Sequence, residues 1–286
     1  MYKIIDKKSL NSSVGEMLIE APYVARKCAP GQFIILRVND VGERIPLTVV
    51  ECDRKAGTVS IIYQIIGYST RLLSELKAGD SLLDFVGPLG VPSHIKKKTR
   101  ILGIGGGVGA APLYPQVLAL HEMGVPVDLI LGGRTKELVI LEEKFRPLVQ
   151  NLYVTTNDGS YGDKGVVTDK LKSLVEGGTK YDEVIAIWPL IMMKYVVLCT
   201  KELGIPTMVS LNPIMVDGTG MCGCCRVSVH GETKFACVDG PDFDGYGVDF
   251  DELIRRQDMY KEEEQHVCKI GLRQEGSVPL APGMAR

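Results

Sequence analysis

The chain has 286 residues, 45% apolar and 24% charged, with a formal net charge of −2, which is enough for two or three compact units of about 100–200 residues. With no basic stripe, and only six Phe and one Trp to stack on bases, a nucleic-acid partner is not expected. Eight cysteines, four of them between Val216 and Gly240, are too sparse for a secreted disulfide framework, and their clustering points to metal or redox chemistry.

The opening stretch "MYKIIDKKSL" alternates apolar and charged residues. It lacks the basic patch and long apolar region of a targeting segment, and no stretch approaches the roughly 18 apolar residues of a membrane span. The expected location is therefore cytoplasmic. Residues 1–96 carry strand-length apolar runs, among them "GQFIILRV", "PLTVVECD" and "TVSIIYQII", separated by turns such as "DRKAG" and "KAGD". This pattern predicts a small antiparallel barrel. After the basic joint "PSHIKKK", residues 97–212 alternate strands ("RILGIG", "VDLILGG", "LYVTTND", "EVIAIWP", "TMVSLN") with helix-like segments near 110–122, 136–148, 164–175 and 190–203. Such alternation predicts a doubly wound parallel sheet, an α/β unit following the barrel. Residues 213–286 are first Gly- and Cys-rich, then charged and helix-like in "DFDELIRRQDMYKEEEQHV", and end in a tail with Pro and Gly. The acidic run around Glu262–Glu264 reads as a solvated face.

"GIGGGVGAAPL" follows the first predicted strand of the α/β unit and opens a helix. A dinucleotide pyrophosphate can approach bare backbone there and sit on a helix N-terminus; the alternative is simply a tight turn. The acidic residue of a dehydrogenase-type unit would fall near Asp128, but that strand runs on to "GGRT", which favours nucleotide binding of another type. In the barrel, "RIPLT" sets a guanidinium, a proline and a hydroxyl at a strand start, a combination able to clamp a pyrophosphate.

A barrel followed by a nucleotide-binding sheet is the order of the ferredoxin–NADP reductase superfamily, and "RIPLT" resembles its flavin motif. That resemblance implies that Arg44, Pro46, Leu47, Thr48, Ile62, Tyr63, Gln64, Ser69 and Thr70 hold FAD. It also implies that Gly106, Gly107, Val108, Gly109, Gly133, Arg134 and Asp158 meet a nicotinamide nucleotide. Asp158 sits in "NDG", a strong turn signal, so a plain turn role is the alternative. Trp188 stands where such reductases show glycine, either narrowing the nicotinamide site or packing into the core.

Thiolates are soft donors suited to iron–sulfur clusters and zinc. Cys222-x-x-Cys225 spans one turn, and Cys237 follows across the hairpin-like "RVSVHGETKFAC". The spacing resembles that of plant-type [2Fe–2S] centres, with Asp217 where the first ligand belongs; Cys224 is the competing fourth ligand. The expected metal ligands are thus Asp217, Cys222, Cys225 and Cys237. Cys28, Cys52, Cys199 and Cys268 show no ligand spacing and read as small hydrophobes.

Together, "SLNPIMVDGTGMCGCCRVSV", "GERIPLT" and "GGGVGAAPLYP" resemble the small FAD- and [2Fe–2S]-binding subunit of the NADH-dependent reduced ferredoxin:NADP⁺ oxidoreductase family, also known as a sulfide dehydrogenase subunit. The chain is similar, more distantly, to the electron-transfer subunit of dihydroorotate dehydrogenase, which has Cys at the place of Asp217. The resemblance implies an oxidoreductase subunit that carries electrons between NAD(H), FAD and a [2Fe–2S] cluster. It also implies a larger flavin and iron–sulfur partner that handles ferredoxin and carries out electron bifurcation. Residues 213–286 then become the iron–sulfur unit and its tail. The competing readings are a dihydroorotate dehydrogenase-type role, a relay that does not turn over nicotinamide, and a zinc-stabilised module.

Overall fold

The computed structural model describes residues 1–271; the tail beyond them and the side chain of Cys268 lie outside the described residues. Short runs of β-branched and apolar residues form the first seven strands: β1 (Tyr2–Ser9), β2 (Val14–Glu20), β3 (Phe33–Arg37), β4 (Ile45–Asp53), β5 (Thr58–Gln64), β6 (Ser81–Leu82) and β7 (Asp84–Leu89). Two short helices, α1 (Pro22–Lys27) and α2 (Tyr68–Glu75), interrupt them. The ladder is antiparallel in the order β6-β1-β2-β5-β4-β3-β7. Its two end strands are joined through Leu83, whose N–H donates to the Arg37 carbonyl at 3.0 Å. The sheet therefore curls into a nearly closed barrel around Ile4, Met17, Ile34, Leu36, Ile61 and Tyr63.

The second sheet contains β8 (Ile101–Gly106), β9 (Val127–Gly133), β10 (Asn151–Thr156), β11 (Asp163–Lys164), β12 (Glu183–Ile187) and β13 (Thr207–Ser210), all parallel. Alternate residues of its strands serve opposite faces, as period-2 geometry requires. Leu102, Ile130 and Ala186 pack with α5 (Val167–Glu176) and α6 (Leu190–Leu203), whereas Ile101, Leu129 and Ile185 pack with α3 (Ala110–Glu122). In the order β11-β10-β9-β8-β12-β13 the chain reverses direction between β8 and β12. A ligand crevice is expected outside the strand ends at such a switch point.

Two predicted helices are altered. The segment 136–148 yields only a turn at Lys136–Leu138 and a short α4 (Glu142–Phe145), because Leu141 between them adopts a left-handed φ of 61°. The segment 164–175 starts late, at Val167, because Asp163–Lys164 pairs as β11 and Gly165 bends the chain with φ 144°.

The C-terminal segment is woven into the second sheet. It forms the predicted hairpin, β14 (Arg226–Val229) and β15 (Glu232–Phe235), turning at His230 and Gly231 with φ of 51° and 76°. A primed turn needs such a pair of positive values. After α7 (Ala236–Asp239), β16 (Asp242–Asp244) adds antiparallel to the edge of β13. The charged stretch divides into α8 (Phe250–Gln257), capped by the Asp249 carboxylate accepting from the Glu252 N–H at 2.8 Å, and α9 (Lys261–Gly271). Lys144 ties the sheet to the barrel through Glu51 at 2.9 Å and Glu16 at 3.4 Å. Among the described residues, no helix is long and apolar enough to cross a membrane.

Candidate functional site

The glycine-rich turn meets the end of β12. The Gly106 N–H donates to the Trp188 carbonyl at 3.1 Å, and a Cβ built on Gly106 would fall 2.5 Å from that oxygen. A Cβ on Gly109 would fall 2.3 Å from the Ile187 carbonyl oxygen. These two glycines are therefore required by close packing, whereas Gly107 has φ of 53° and nothing within 4 Å of a Cβ. It faces an open cleft of about 770 Å³. The predicted Gly106, Gly107, Val108, Gly133 and Arg134 line this cleft, together with Asn157, Ile191, Met192 and Tyr195. Bare backbone and the amino end of α3 suit a pyrophosphate. Asp158 is not on its wall: its carboxylate accepts from the Ser160 N–H at 2.9 Å and hydroxyl at 2.7 Å, the turn role.

A second cleft, of about 300 Å³, opens between barrel and sheet. It gathers the predicted Pro46, Leu47, Thr48, Ile62, Tyr63, Gln64, Thr70 and Gly109, and adds Asn212 and Met215. The Asn212 side-chain oxygen is buried with no partner among the described residues, so a polar ligand group has a waiting contact. Tyr63 is also a barrel-core residue: its ring crosses Gly15, where a Cβ would come within 2.7 Å of the phenol oxygen. Burial pushes its hydroxyl up to about 12, so it stays a neutral phenol at neutral pH.

Two expected flavin residues turn elsewhere. The Arg44 guanidinium donates from Nε to the Val216 carbonyl at 2.7 Å and lies 3.6 Å from Asp84. It ties the barrel to the cysteine loop. Ser69 is buried, accepting from the Glu43 N–H at 3.0 Å and donating to its carboxylate at 2.8 Å.

The cysteine loop leaves the wall of the second cleft at Met215 and bends through Gly218, Gly220 and Gly223, all with left-handed φ of 86°, 84° and 67°. Gly218 rests on the barrel, where a Cβ would meet Leu89 at 2.7 Å and Ile35 at 2.8 Å. The buried sulfurs of Cys225 and Cys237 stand 3.2 Å apart. Burial, then the bond to Cys225, pushes the Cys237 thiol up to about 12. Cys222 is exposed and its thiol is lowered, first by the Cys224 N–H; Cys224 is raised, first by its bond to Cys222. The Asp217 carboxylate accepts from the Thr219 hydroxyl and N–H, which hold it below the usual carboxylate range. Among the described residues, no three Cys, His, Asp or Glu side chains close on one metal-ion position. The thiols do fit an iron–sulfur group in chemistry: soft donors on one glycine-bent loop, with backbone N–H groups of Gly220 and Cys224 turned on the sulfurs.

Gln64, Ile66, Val108 and Trp188 line both clefts. Trp188 is half-buried and holds φ of 52°, a left-handed backbone that costs a bulky residue on the order of 1–3 kcal/mol. Ile66, Asn212 and Met215 were not anticipated. Asn212 was within reach of sequence reasoning, because it follows the carboxyl end of a parallel strand beside the switch point.

Residues 212–249 match the iron–sulfur cluster binding domain of dihydroorotate dehydrogenase B. The chain is 46% identical over 265 residues to a dihydroorotate dehydrogenase B (NAD(+)) electron transfer subunit homolog of Thermotoga maritima, covering 93% of each chain. Among solved structures, a chain of the NADH-dependent reduced ferredoxin-NADP oxidoreductase, described with flavin-based electron bifurcation, is 44% identical. It covers 96% of this chain and 98% of that one, with a TM-score of 0.91. A ferredoxin NADP⁺ reductase from Neisseria gonorrhoeae, solved with bound FAD and NADP, shares the fold at 18% identity and a TM-score of 0.61, over 71% of this chain and 90% of that one.

Proposed function

The chain belongs to the family of dihydroorotate dehydrogenase B electron transfer subunits and their homologues, which places it among flavin-dependent oxidoreductases, and on that premise we propose that it carries electrons between NAD(H), FAD and a [2Fe–2S] cluster. One observation carries this reading. The larger cleft adjoins the smaller through Gln64, Ile66, Val108 and Trp188, and the cysteine loop leaves the wall of the smaller at Met215. In this reading nicotinamide, flavin and cluster follow one another in the order that electrons would travel.

In this reading Pro46, Leu47, Thr48, Ile62, Gln64 and Thr70 hold FAD, which supplies the conversion between hydride and single-electron transfer. Asn212 offers it a buried polar contact. Gly106, Gly107, Val108, Gly133 and Arg134 receive the nicotinamide nucleotide, with Arg134 available to its phosphates. Asp217, Cys222, Cys225 and Cys237 ligate the cluster. Arg44 keeps their loop against the barrel, and the exposure of Cys222 leaves one side of it open to a partner. The chain's contribution is to seat, orient and shield these groups.

The partner is a larger flavin and iron–sulfur subunit through which ferredoxin and NADP(H) are handled. The 44% identity to the ferredoxin-NADP oxidoreductase chain over nearly its full length supports this assignment, and Asp217 in the place of a cysteine favours it over a dihydroorotate-linked one. Stopped-flow mixing of the purified chain with NADH tests the core of the reading: the flavin should bleach, and an unreduced flavin at millimolar NADH would overturn it. Recovery of a dihydroorotate-oxidising subunit as the native partner would overturn the partner assignment.

A further inference from the structure

Trp188 is the chain's single tryptophan and belongs to the walls of both clefts. Its backbone is clamped on both sides. The Gly106 N–H holds its carbonyl at 3.1 Å, and Gly109 packs so closely that a Cβ there would lie 2.6 Å from the Trp188 Cβ. The indole packs in part against the hydrophobic core on the α3 side of the sheet. It is only half-buried, and Gly107, on the wall of the same larger cleft, has nothing within 4 Å of a built Cβ. A fixed backbone carrying a large ring at a junction, next to open space, has the parts of a swinging barrier.

We propose that Trp188 is the gate between the two clefts: its indole stands across the approach of a nicotinamide ring to the flavin, and the ring enters only when the indole turns aside. The proposal rests on the nicotinamide and flavin reading above. An inward indole and a bound nicotinamide then exclude each other, so part of the nucleotide's binding energy is spent in displacing the side chain. Trp188 thereby sets affinity and access without being a catalytic residue.

The test titrates NAD⁺ into the flavin- and cluster-loaded protein, reading tryptophan emission and flavin absorbance together. In the natural chain the emission should change saturably, with the same Kd as the flavin signal. Trp188→Gly, which also suits the left-handed backbone, should bind NAD⁺ roughly tenfold tighter, the scale of one aromatic stacking contact. Trp188→Phe, which keeps a ring at the position, should stay within about threefold of the natural chain. Equal affinity in Trp188→Gly and the natural chain would overturn the gate while leaving the nicotinamide reading intact. So would an emission unmoved by saturating NAD⁺. Weaker binding in Trp188→Gly would overturn it in favour of a stacking platform. If the natural chain neither binds NAD⁺ nor shows flavin bleaching by NADH, the underlying reading fails, and the gate with it.

Discussion

Replacing Gly109 by alanine asks whether the glycine turn is packed against the end of β12 as described. The new Cβ would stand 2.3 Å from the Ile187 carbonyl oxygen and 2.6 Å from the Trp188 Cβ, while Gly109 itself has an ordinary φ of −62°. The penalty is therefore steric. The nearest atom is backbone, held in the ladder between β12 and β8, so no side-chain end can move away. Restoring normal contact needs an opening of about 1 Å between the turn and the strand end, and overpacking of this kind costs about 3 kcal/mol at the upper end of the usual range. For a chain of this size that is a fall in Tm of about 6–12 °C. Gly107→Ala is the control. It meets no atom within 4 Å but keeps φ of 53°, so its cost is only about 1–2 kcal/mol of backbone strain. It should also weaken nucleotide binding, because its methyl projects into the larger cleft. Urea unfolding and NAD⁺ titration of both variants read the two effects. A Gly109→Ala protein within about 0.5 kcal/mol of the natural chain would refute the packing argument.

Burial raises the Asp242 carboxyl above its unfolded value of 3.8, opposed by donors from Ser93 and Gln116, and its Oδ1 has no partner among the described residues. The folded state then binds the proton more tightly, so this group's contribution to stability falls as pH rises above about 4. Asp242→Asn should remove that slope in unfolding measured from pH 4 to 7, and parallel profiles would refute it. At the opposite end of the sheet, buried Asp128 accepts from Arg100 at 2.9 Å, Asn151 at 2.9 Å and Tyr181 at 2.7 Å. Asp128→Ala should cost about 1–3 kcal/mol in urea unfolding, chiefly by leaving the buried Tyr181 hydroxyl unpaired, and a loss below about 0.5 kcal/mol would contradict the network. For the cluster ligands, Asp217→Ala should change or abolish the iron–sulfur EPR signal and Cys224→Ser should leave it. The reverse pattern would exchange the two residues.

Where local rules decide, the sequence is a close guide to the structure. α3 and α6 begin and end where the strand–helix alternation put them, and the hairpin expected in "RVSVHGETKFAC" forms, turning at His230-Gly231. The helix predicted over 136–148 failed because its apolar pattern does not reveal a left-handed Leu141. β16 was missed because a three-residue edge strand carries little pattern of its own and gains its place from β13.

The site divides in the same way. Residues whose role depends on backbone at strand and turn positions, such as Gly106, Gly107, Thr48 and Gln64, fall on the cleft walls. Long side chains escape such reasoning. Arg44 finds its partner at Val216, 172 residues away in sequence, and Ser69 is drawn to Glu43 by burial. For Trp188, the structure shows a half-buried residue on the wall of the larger cleft, and the sequence could not show that it borders the smaller cleft as well.

The order of the sites is the central claim, and anaerobic addition of NADH to the purified chain, followed by EPR, tests it most directly. Electrons entering at the larger cleft should bleach the flavin and then appear as the signal of a reduced [2Fe–2S] cluster. A flavin that bleaches while the cluster stays oxidised, although dithionite reduces it, would contradict the proposed route from nicotinamide through flavin to the cysteine loop.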